Sequence, residues 1–276
     1  GWRTTFIAFG IPGILIAATL WFFTRDPGRG IFDSEEERRQ AAIARDIKVA
    51  PQIKSIFAVR AFVLLCMGVA LTGVVGYGFG IWAPTFLLRT YEMSLAQAGL
   101  LFGLSSGLFA VLGTLFCGWL CDRLIVRDTR WQIALPMLGI LISLPMGIAF
   151  LLWPKNSTFD VAGHDIPFAM LFCAGFAFFQ SWWPTLTFAA VSHLLTSSQR
   201  AMGAAFVNLF MTLVGAGLGP FLSGTLSDLY TSSMGPDGLR WALVTVLCLL
   251  LVTALLYALA ITPYQRRLVE LDAQIA

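Results

Sequence analysis

The chain has 276 residues, of which 58% are hydrophobic and 12% are charged. Soluble domains contain about 45–50% apolar and about 25% charged residues, so the composition excludes an ordinary soluble protein. The net charge of +3 is too small to indicate a nucleic-acid partner.

Seven stretches of 20 to 28 residues contain no Asp, Glu, Lys or Arg. An α-helix needs about 20 mostly apolar residues to cross a hydrocarbon core roughly 30 Å thick. The sequence therefore predicts an all-α, polytopic transmembrane bundle with seven spans. In chain order the predicted spans are residues 4–23, 61–88, 95–120, 131–152, 166–191, 201–226 and 241–261.

The cations are divided unequally between the two sides of the predicted bundle. If the segment between the first two spans is cytoplasmic, fourteen Lys and Arg residues lie on that side and four lie on the other. Short cytoplasmic loops carry an excess of cations. We therefore expect a multi-pass protein of the plasma or inner membrane, with the N-terminus outside and the C-terminus in the cytoplasm.

The polar segment after the first span divides the chain into three predicted parts. Within this segment, Ser34 and Glu37 form a capping-box pattern, which predicts a short amphipathic helix on the cytoplasmic surface. The predicted parts are residues 1–24 as the last helix of an N-terminal bundle, 25–60 as the loop between bundles, and 61–276 as a C-terminal six-helix bundle with a cytoplasmic tail.

The residues before the first span resemble those before the seventh span, which indicates an internal repeat. The sequence begins with Gly1 rather than Met, and Gly and Arg precede both the first and the seventh span. Six spans separate these two positions, which is typical of two parallel six-helix repeats. We therefore expect that most of an N-terminal six-helix bundle is missing from this sequence, and that this missing bundle is a partner of the C-terminal bundle.

Glycines in the spans predict close helix packing. Lipid tails are as apolar as Leu, so membrane helices associate where small residues let their backbones approach. Gly99, Gly103 and Gly107 follow one another at four-residue spacing and share one helix face. We expect this face to pack, and we expect Pro184 to bend the fifth span.

A few polar and aromatic residues inside the spans predict a cavity. An unpaired polar side chain at membrane depth is costly, so it bonds to a neighbouring helix or faces water. These residues concentrate in the second and fifth spans, which we expect to line the cavity. The candidates are Tyr77, Trp82, Gln180, Trp182, Trp183 and Asn208.

The spans contain little that could perform catalysis. They hold no ionisable carboxylate, Lys or Arg, so no proton- or ion-coupling group is visible. Cys117 and Cys121 lie one turn apart, but no His or carboxylate in their span completes a metal site. The sequence thus predicts no enzyme, no metal and no cofactor.

The loop after the third span carries a motif. Its sequence resembles the Gly-x-x-x-Asp-Arg-x-Gly-Arg-Arg loop of the major facilitator superfamily, with Ile125 and Val126 as departures. A carboxylate just past a span can dock on the N-terminus of a neighbouring helix, and the arginines can hold helix ends together in one state. The candidate gating residues are Gly118, Asp122, Arg123, Arg127 and Arg130.

Further segments are similar to the spinster-like branch of that superfamily. This resemblance implies that the seven spans are family helices six to twelve, and that two bundles rock around a site at the bilayer midplane. It implies a small-molecule or lipid-like substrate, with membrane lipids as surroundings. The segments are Gly1-Trp-Arg, Arg25-Asp-Pro-Gly-Arg29-Gly, Trp82-Ala-Pro84, Gln199-Arg200-Ala-Met-Gly203, Gly215-x-Gly-x-Gly-Pro220 and Ser227-Asp228.

Two alternatives remain beside a carrier of amphiphiles. A symporter of organic anions such as sugar acids belongs to the same superfamily, although a carboxylate substrate usually needs an Arg or Lys that these spans lack. A seven-helix receptor fits the span count and the topology. It fits the long first loop and the Asp-Arg motif poorly, and a retinal protein would need a Lys in the last span.

Overall fold

The computed structural model describes residues 1–25, 49–161 and 163–275, which fold almost entirely as helices. The amphipathic helix predicted around Ser34 and Glu37 lies outside these residues. The helices are α1 (Trp2–Phe23), α2 (Val49–Ala58), α3 (Arg60–Tyr91), α4 (Leu95–Ile125), α5 (Trp131–Leu152), α6 (Ala169–Gln180), α7 (Trp182–Leu194), α8 (Ser197–Phe210), α9 (Gly217–Met234), α10 (Gly238–Leu247) and α11 (Leu249–Ile275).

Four short elements connect some of these helices. Strand β1 (Thr158–Val161) pairs antiparallel with β2 (His164–Pro167) between α5 and α6. A π-helical segment (Met211–Ala216) joins α8 to α9, and a 3₁₀ turn (Gly235–Asp237) joins α9 to α10. Contacts divide the chain into two units, of which the first contains α1 and the second contains α2 to α11.

Five helical runs within the described residues have the length and composition of a membrane span. The first four coincide with the first four predicted spans, and the fifth run contains the sixth and seventh. The prediction of a polytopic, all-α bundle is confirmed, whereas the count of seven stays a prediction. The runs are Arg3–Phe23, Arg60–Tyr91, Leu95–Ile125, Trp131–Leu152 and Ser198–Leu271.

The fifth predicted span, residues 166–191, is not one continuous helix. Its first two residues belong to β2, and the helix is interrupted at Ser181, where φ is −72° and ψ is −6°. Pro184 has no N–H, so the carbonyl of Gln180, four residues earlier, loses its intrahelical donor. The expected bend is therefore a break between α6 and α7.

The core of the second unit surrounds α3, which packs against α9, α11 and the π-helical segment. Large aromatic side chains such as Phe62, Phe86 and Tyr257 are fully buried there. The hydroxyl of Tyr257 lies 2.8 Å from Oγ1 of Thr187, so these two buried polar groups satisfy each other. A smaller cluster is formed by Cys117, Cys121, Leu135, Trp182 and Leu186.

Two of the glycine contacts mark close approaches between helices. A Cβ atom at Gly73 would lie 2.8 Å from the carbonyl oxygen of Met211, so α3 and the π-helical segment meet backbone to backbone. A Cβ atom at Gly113 would overlap the carbonyl oxygen of Phe178 and lie 2.8 Å from its carbonyl carbon, which brings α4 directly onto α6. These contacts fix the helices that surround the cavity described next.

The glycine face predicted on the third span does not pack within the described residues. A Cβ atom at Gly99, Gly103 or Gly107 would have no neighbour within 4 Å. The expectation of close packing on this face is therefore wrong for the described bundle. The contact residue of α4 is Gly113, which the four-residue spacing does not include.

Candidate functional site

A cavity of about 500 Å³ lies between α3, α4 and the α6–α7 break. Its volume falls within the range of roughly 300–1,000 Å³ that is typical of small-molecule sites. The described residues that line it carry no formal charge. They are Gly76, Phe79, Gly80, Phe102, Ser106, Ala110, Thr114, Cys173, Phe176, Ala177, Gln180, Ser181 and Pro184.

One face of α4 contributes a regular set of lining residues. Phe102, Ser106, Ala110 and Thr114 follow one another at four-residue spacing, so their side chains share one face of the helix. The cavity was predicted from the sequence to lie between the second and fifth spans, and this face of α4 was not predicted. Ser106 and Thr114 lie eight residues apart, with Ala110 midway between them, and this spacing is the sequence signal that could have found the face.

The hydroxyl groups around the cavity already use their hydrogens. Ser106 Oγ donates to the carbonyl of Phe102 at 2.6 Å, and Thr114 Oγ1 donates to that of Ala110 at 2.9 Å. Ser181 Oγ donates to a carbonyl of α6 at 2.8 Å. Each hydroxyl oxygen can therefore accept a hydrogen bond from a ligand, but it donates to its own helix.

Gln180 has an incomplete set of partners. Ser143 Oγ lies 2.9 Å from Gln180 Oε1 and 2.8 Å from the carbonyl oxygen of Ile140, but its single hydrogen can serve only one of them. Gln180 Nε2 is buried and has no hydrogen-bond partner among the described residues. The cavity wall therefore includes a buried amide donor that no described group satisfies.

Rotation of the Gln180 amide by 180° changes which atom lacks a partner. Nε2 would then donate to Ser143 Oγ, which would keep its bond to Ile140, and Oε1 would be left without a donor. In either orientation one polar atom of the amide stays unpaired, at a cost of about 1–3 kcal/mol. A polar group of a ligand in the adjacent cavity could remove that cost.

The three tryptophans predicted to line this cavity lie elsewhere. Trp82 is half-buried, and its Nε1 donates to the carbonyl of Pro220 at 3.0 Å. Trp182 and Trp183 are buried, with 5% and 8% of their surface exposed, in two different hydrophobic clusters. In this conformation the three tryptophan side chains therefore pack against other residues and do not line the cavity.

The other two candidates are also outside the cavity. Tyr77 is half-buried on α3 and does not line it. Asn208 is exposed on α8, and its Nδ2 donates to the carbonyl of Ala204 at 3.3 Å. Of the six predicted cavity residues, the structure places Gln180 in the wall of the cavity.

The motif after the third span lies at an exposed end of the bundle. Helix α4 continues to Ile125, so Asp122 and Arg123 belong to its last turn. The Asp122 carboxylate makes no hydrogen bond or ion pair with any described residue. The guanidinium of Arg123 lies 4.2 Å from the ring centre of Trp119, a cation–π contact. The predicted docking of Asp122 on a neighbouring helix is therefore not made in this conformation.

A different carboxylate connects this loop to the last helix. Arg130 Nε donates to Gln265 Oε1 at 3.0 Å, and Gln265 Nε2 donates to Asp128 Oδ1 at 3.2 Å. Asp128 also accepts from the backbone N–H of Arg130 at 2.8 Å. Among the motif residues, Gly118 lies within α4, and Arg127 and Arg130 are exposed. Sequence reasoning missed Asp128 and Gln265.

Comparison with known proteins identifies the family. The family model described as Major Facilitator Superfamily matches residues 1–190. The chain belongs to the major facilitator superfamily. This membership confirms the prediction of a multi-pass membrane protein from a family of transporters, rather than an enzyme.

Two curated relatives are similar over most of the chain. An "MFS-type efflux pump" of Mycolicibacterium smegmatis is 31% identical over 272 residues, which are 98% of this chain and 58% of the relative. A "Probable L-galactonate transporter" of Escherichia coli is 23% identical over 261 residues, which are 93% of this chain and 54% of the relative. The chain thus spans just over half the length of these relatives.

Solved structures share the fold. A bacterial homolog of the human lysosomal transporter Spinster, in an inward-facing and unoccupied conformation, matches with a TM-score of 0.69 and 24% identity, over 97% of this chain and 60% of that one. An inward-facing and occupied structure of such a homolog matches with a TM-score of 0.65 and 24% identity, over 97% and 59%. This likeness shows that the chain shares the fold of these structures.

Proposed function

We propose that the whole protein is a secondary active transporter that moves a small organic or amphiphilic, lipid-like solute by alternating access. The observation that carries this proposal is the uncharged cavity between α3, α4 and the α6–α7 break. In transporters built from two repeats, substrate sites lie near the bilayer midplane and are often formed by discontinuous helices. The break beside Gln180 is a one-residue interruption rather than an unwound segment, because Ser181 keeps helical dihedral angles and its N–H donates to the carbonyl of Ala177. The N-terminal bundle of the whole protein would close the other side of the cavity.

The chemistry of the cavity favours an amphiphile. Its walls are mainly apolar, its hydroxyl oxygens can accept hydrogen bonds, and the amide of Gln180 supplies one unsatisfied polar atom. Such a site suits a largely apolar solute that carries a few hydroxyl or amide groups. Together with the sequence motifs and the shared fold, this chemistry supports our assignment to the spinster-like branch.

The second candidate is a symporter of organic anions or sugar acids. The similarity to a probable L-galactonate transporter favours it. A carboxylate is best held by an Arg or Lys, and the described residues of the cavity include neither. This candidate therefore requires a cation from another part of the protein.

The experiment compares two substrates and two variants in the full-length protein. Proteoliposomes are tested for transport of a fluorescent lysolipid and a radiolabelled sugar acid, with Gln180→Leu and Gln199→Leu at equal reconstitution. Gln180→Leu keeps the approximate volume but removes the amide, so we expect lysolipid transport to fall about threefold to tenfold. Gln199 does not line the cavity, and its variant should transport normally.

The outcomes separate the proposals. A normal rate in Gln180→Leu would remove this residue from the substrate pathway. Transport of the sugar acid without the lysolipid would support the second candidate. If the complete protein moves neither compound while it responds to a soluble agonist, the carrier proposal fails.

We also propose the orientation that the distribution of cations predicts, with the C-terminus and the motif loop on the cytoplasmic side. Arg127 is exposed in this loop and is a suitable position for a label. On a background without the native cysteines, Arg127→Cys should react with an impermeant maleimide only after the membrane is opened. Labelling of intact cells would reverse the orientation.

A further inference from the structure

A second cavity of about 500 Å³ lies where the start of α3 meets the C-terminal two thirds of α11. It shares no lining residue with the cavity at Gln180. Its polar wall contains three arginines and one carboxylate, so its formal charge is positive. The principal residues are Arg60, Thr262, Pro263, Arg266, Arg267 and Glu270.

The arginines of this pocket have donors without partners. Arg267 Nη1 pairs with Glu270 Oε2 at 3.1 Å, but Arg267 Nε is buried and has no partner among the described residues. Arg60 and Arg266 are exposed, and neither forms an ion pair with a described residue. Planar guanidinium groups match the oxygens of a phosphate group, and one carboxylate cannot satisfy three of them.

An apolar surface leads to this pocket along α11. Leu251, Leu255 and Leu259 follow one another at four-residue spacing, so they share one face of the helix. About half of each side chain is exposed, with values of 52%, 57% and 49%. Leu259 is itself part of the pocket wall. Thus an apolar track and a cationic pocket adjoin each other at one end of the bundle.

The pocket lies at the level where a lipid headgroup would be. The last predicted span ends at residue 261, and the polar wall begins directly after it, at Thr262. The same end of the bundle is the one that its cations predict to be cytoplasmic. Basic pockets between membrane helices on that side bind anionic headgroups.

We propose that Arg60, Arg266 and Arg267 hold the phosphate of an anionic phospholipid, and that one acyl chain of this lipid lies along Leu251, Leu255 and Leu259. The track explains why a lipid, rather than a soluble phosphate, occupies the pocket. Glu270 limits the affinity, because it occupies one side of the Arg267 guanidinium. The site is separate from the transported solute and does not depend on the identity of that solute.

The test measures lipid retention by native mass spectrometry. Purified full-length protein is equilibrated in detergent with equal amounts of palmitoyl-oleoyl phosphatidylglycerol and palmitoyl-oleoyl phosphatidylcholine. We expect preferential retention of phosphatidylglycerol, which Arg266→Gln should weaken roughly fivefold. Arg266→Lys keeps the charge but loses the planar guanidinium, so it should bind more than Arg266→Gln and less than the unmodified protein. Arg127→Gln removes a cation outside the pocket and should retain all of it.

A variant that should increase the retention of phosphatidylglycerol tests the proposal from the opposite direction. Glu270→Gln removes the competing carboxylate, so it should strengthen the retention of phosphatidylglycerol, which mere damage to the fold would not do. Equal retention of both lipids by the unmodified protein would overturn the proposal, as would weaker binding by Glu270→Gln. Displacement of phosphatidylglycerol by inorganic phosphate at an equal concentration would overturn the assignment to a lipid.

Discussion

The contact between Gly113 on α4 and the backbone of α6 makes a strong prediction about stability. A Cβ atom at this position would lie 2.5 Å from Ser181 Oγ and 2.8 Å from the carbonyl carbon of Phe178. Real Cβ atoms do not approach backbone atoms so closely, so Gly113→Ala must push α4 away from α6. Overpacking of this kind costs about 1–3 kcal/mol.

Gly103→Ala is the matched control on the same helix. A Cβ atom there has no neighbour within 4 Å among the described residues. Both substitutions gain the same helix propensity, up to about 1 kcal/mol, so this contribution cancels in the comparison. The difference between the two variants is therefore the overpacking cost of about 1–3 kcal/mol.

Thermal unfolding of both variants in the same detergent measures this difference. A change of 1 kcal/mol shifts the Tm of a domain of similar size by about 2–4 °C. Gly113→Ala should therefore melt about 2–12 °C below Gly103→Ala. Equal Tm values would refute the close approach of α4 and α6, and an equally low Tm for Gly103→Ala would mean that its face is covered by another part of the protein.

The remaining predictions concern one buried pair and one exposed carboxylate. Tyr257→Phe leaves the buried Thr187 hydroxyl without its partner and should lower the free energy of unfolding by about 1–3 kcal/mol. The control is Tyr230→Phe, which removes an exposed hydrogen bond and should change the free energy of unfolding by less than about 0.5 kcal/mol. Chemical denaturation checks both; equal effects would contradict the buried bond. Asp122→Asn should leave the Tm unchanged, because the Asp122 carboxylate has no partner among the residues described. It should nevertheless increase the population of the conformation described here, which accessibility labelling measures. Unchanged labelling would end its gating role.

The membrane helices could be predicted because the length of an uncharged, apolar run can be taken directly from the sequence. The structure has a helix at Trp131–Leu152, which is the predicted fourth span, and α3 and α4 differ from their predicted spans by a few residues at the ends. The ends of a membrane helix tolerate charged residues. A predicted span that is defined by the absence of charge is therefore shorter than the helix itself. Asp122 and Arg123 are inside α4 for this reason.

The interruption of the fifth span could not be obtained in the same way. Ser181 and Pro184 leave the stretch uncharged, so its composition is that of a continuous span. The effect of Pro184 depends on whether the surrounding helices hold the two halves at an angle, and that is a tertiary property. Composition also cannot distinguish the apolar strand residues Ile166 and Pro167 from the start of a helix.

The wall of the cavity was predicted only in part, because a sequence gives residue types but not directions. Gln180 was found because an amide in a span is rare and costly. Trp182 and Trp183 were equally conspicuous, but their rings fill two hydrophobic clusters. Ser106 and Thr114 were overlooked because small hydroxyl residues are common in membrane helices. Which glycine faces meet a neighbour likewise depends on helix rotation, which spacing alone does not give.

The two tryptophans that follow the break at Ser181 can report on motion at this position through their fluorescence. The two indole rings that follow it are held in separate hydrophobic clusters, so any pivoting of α7 relative to α6 changes the surroundings of both at once. The emission wavelength of an indole depends on those surroundings. The difference spectrum between the unmodified protein and Trp182→Phe would therefore follow the motion of this joint without an attached dye.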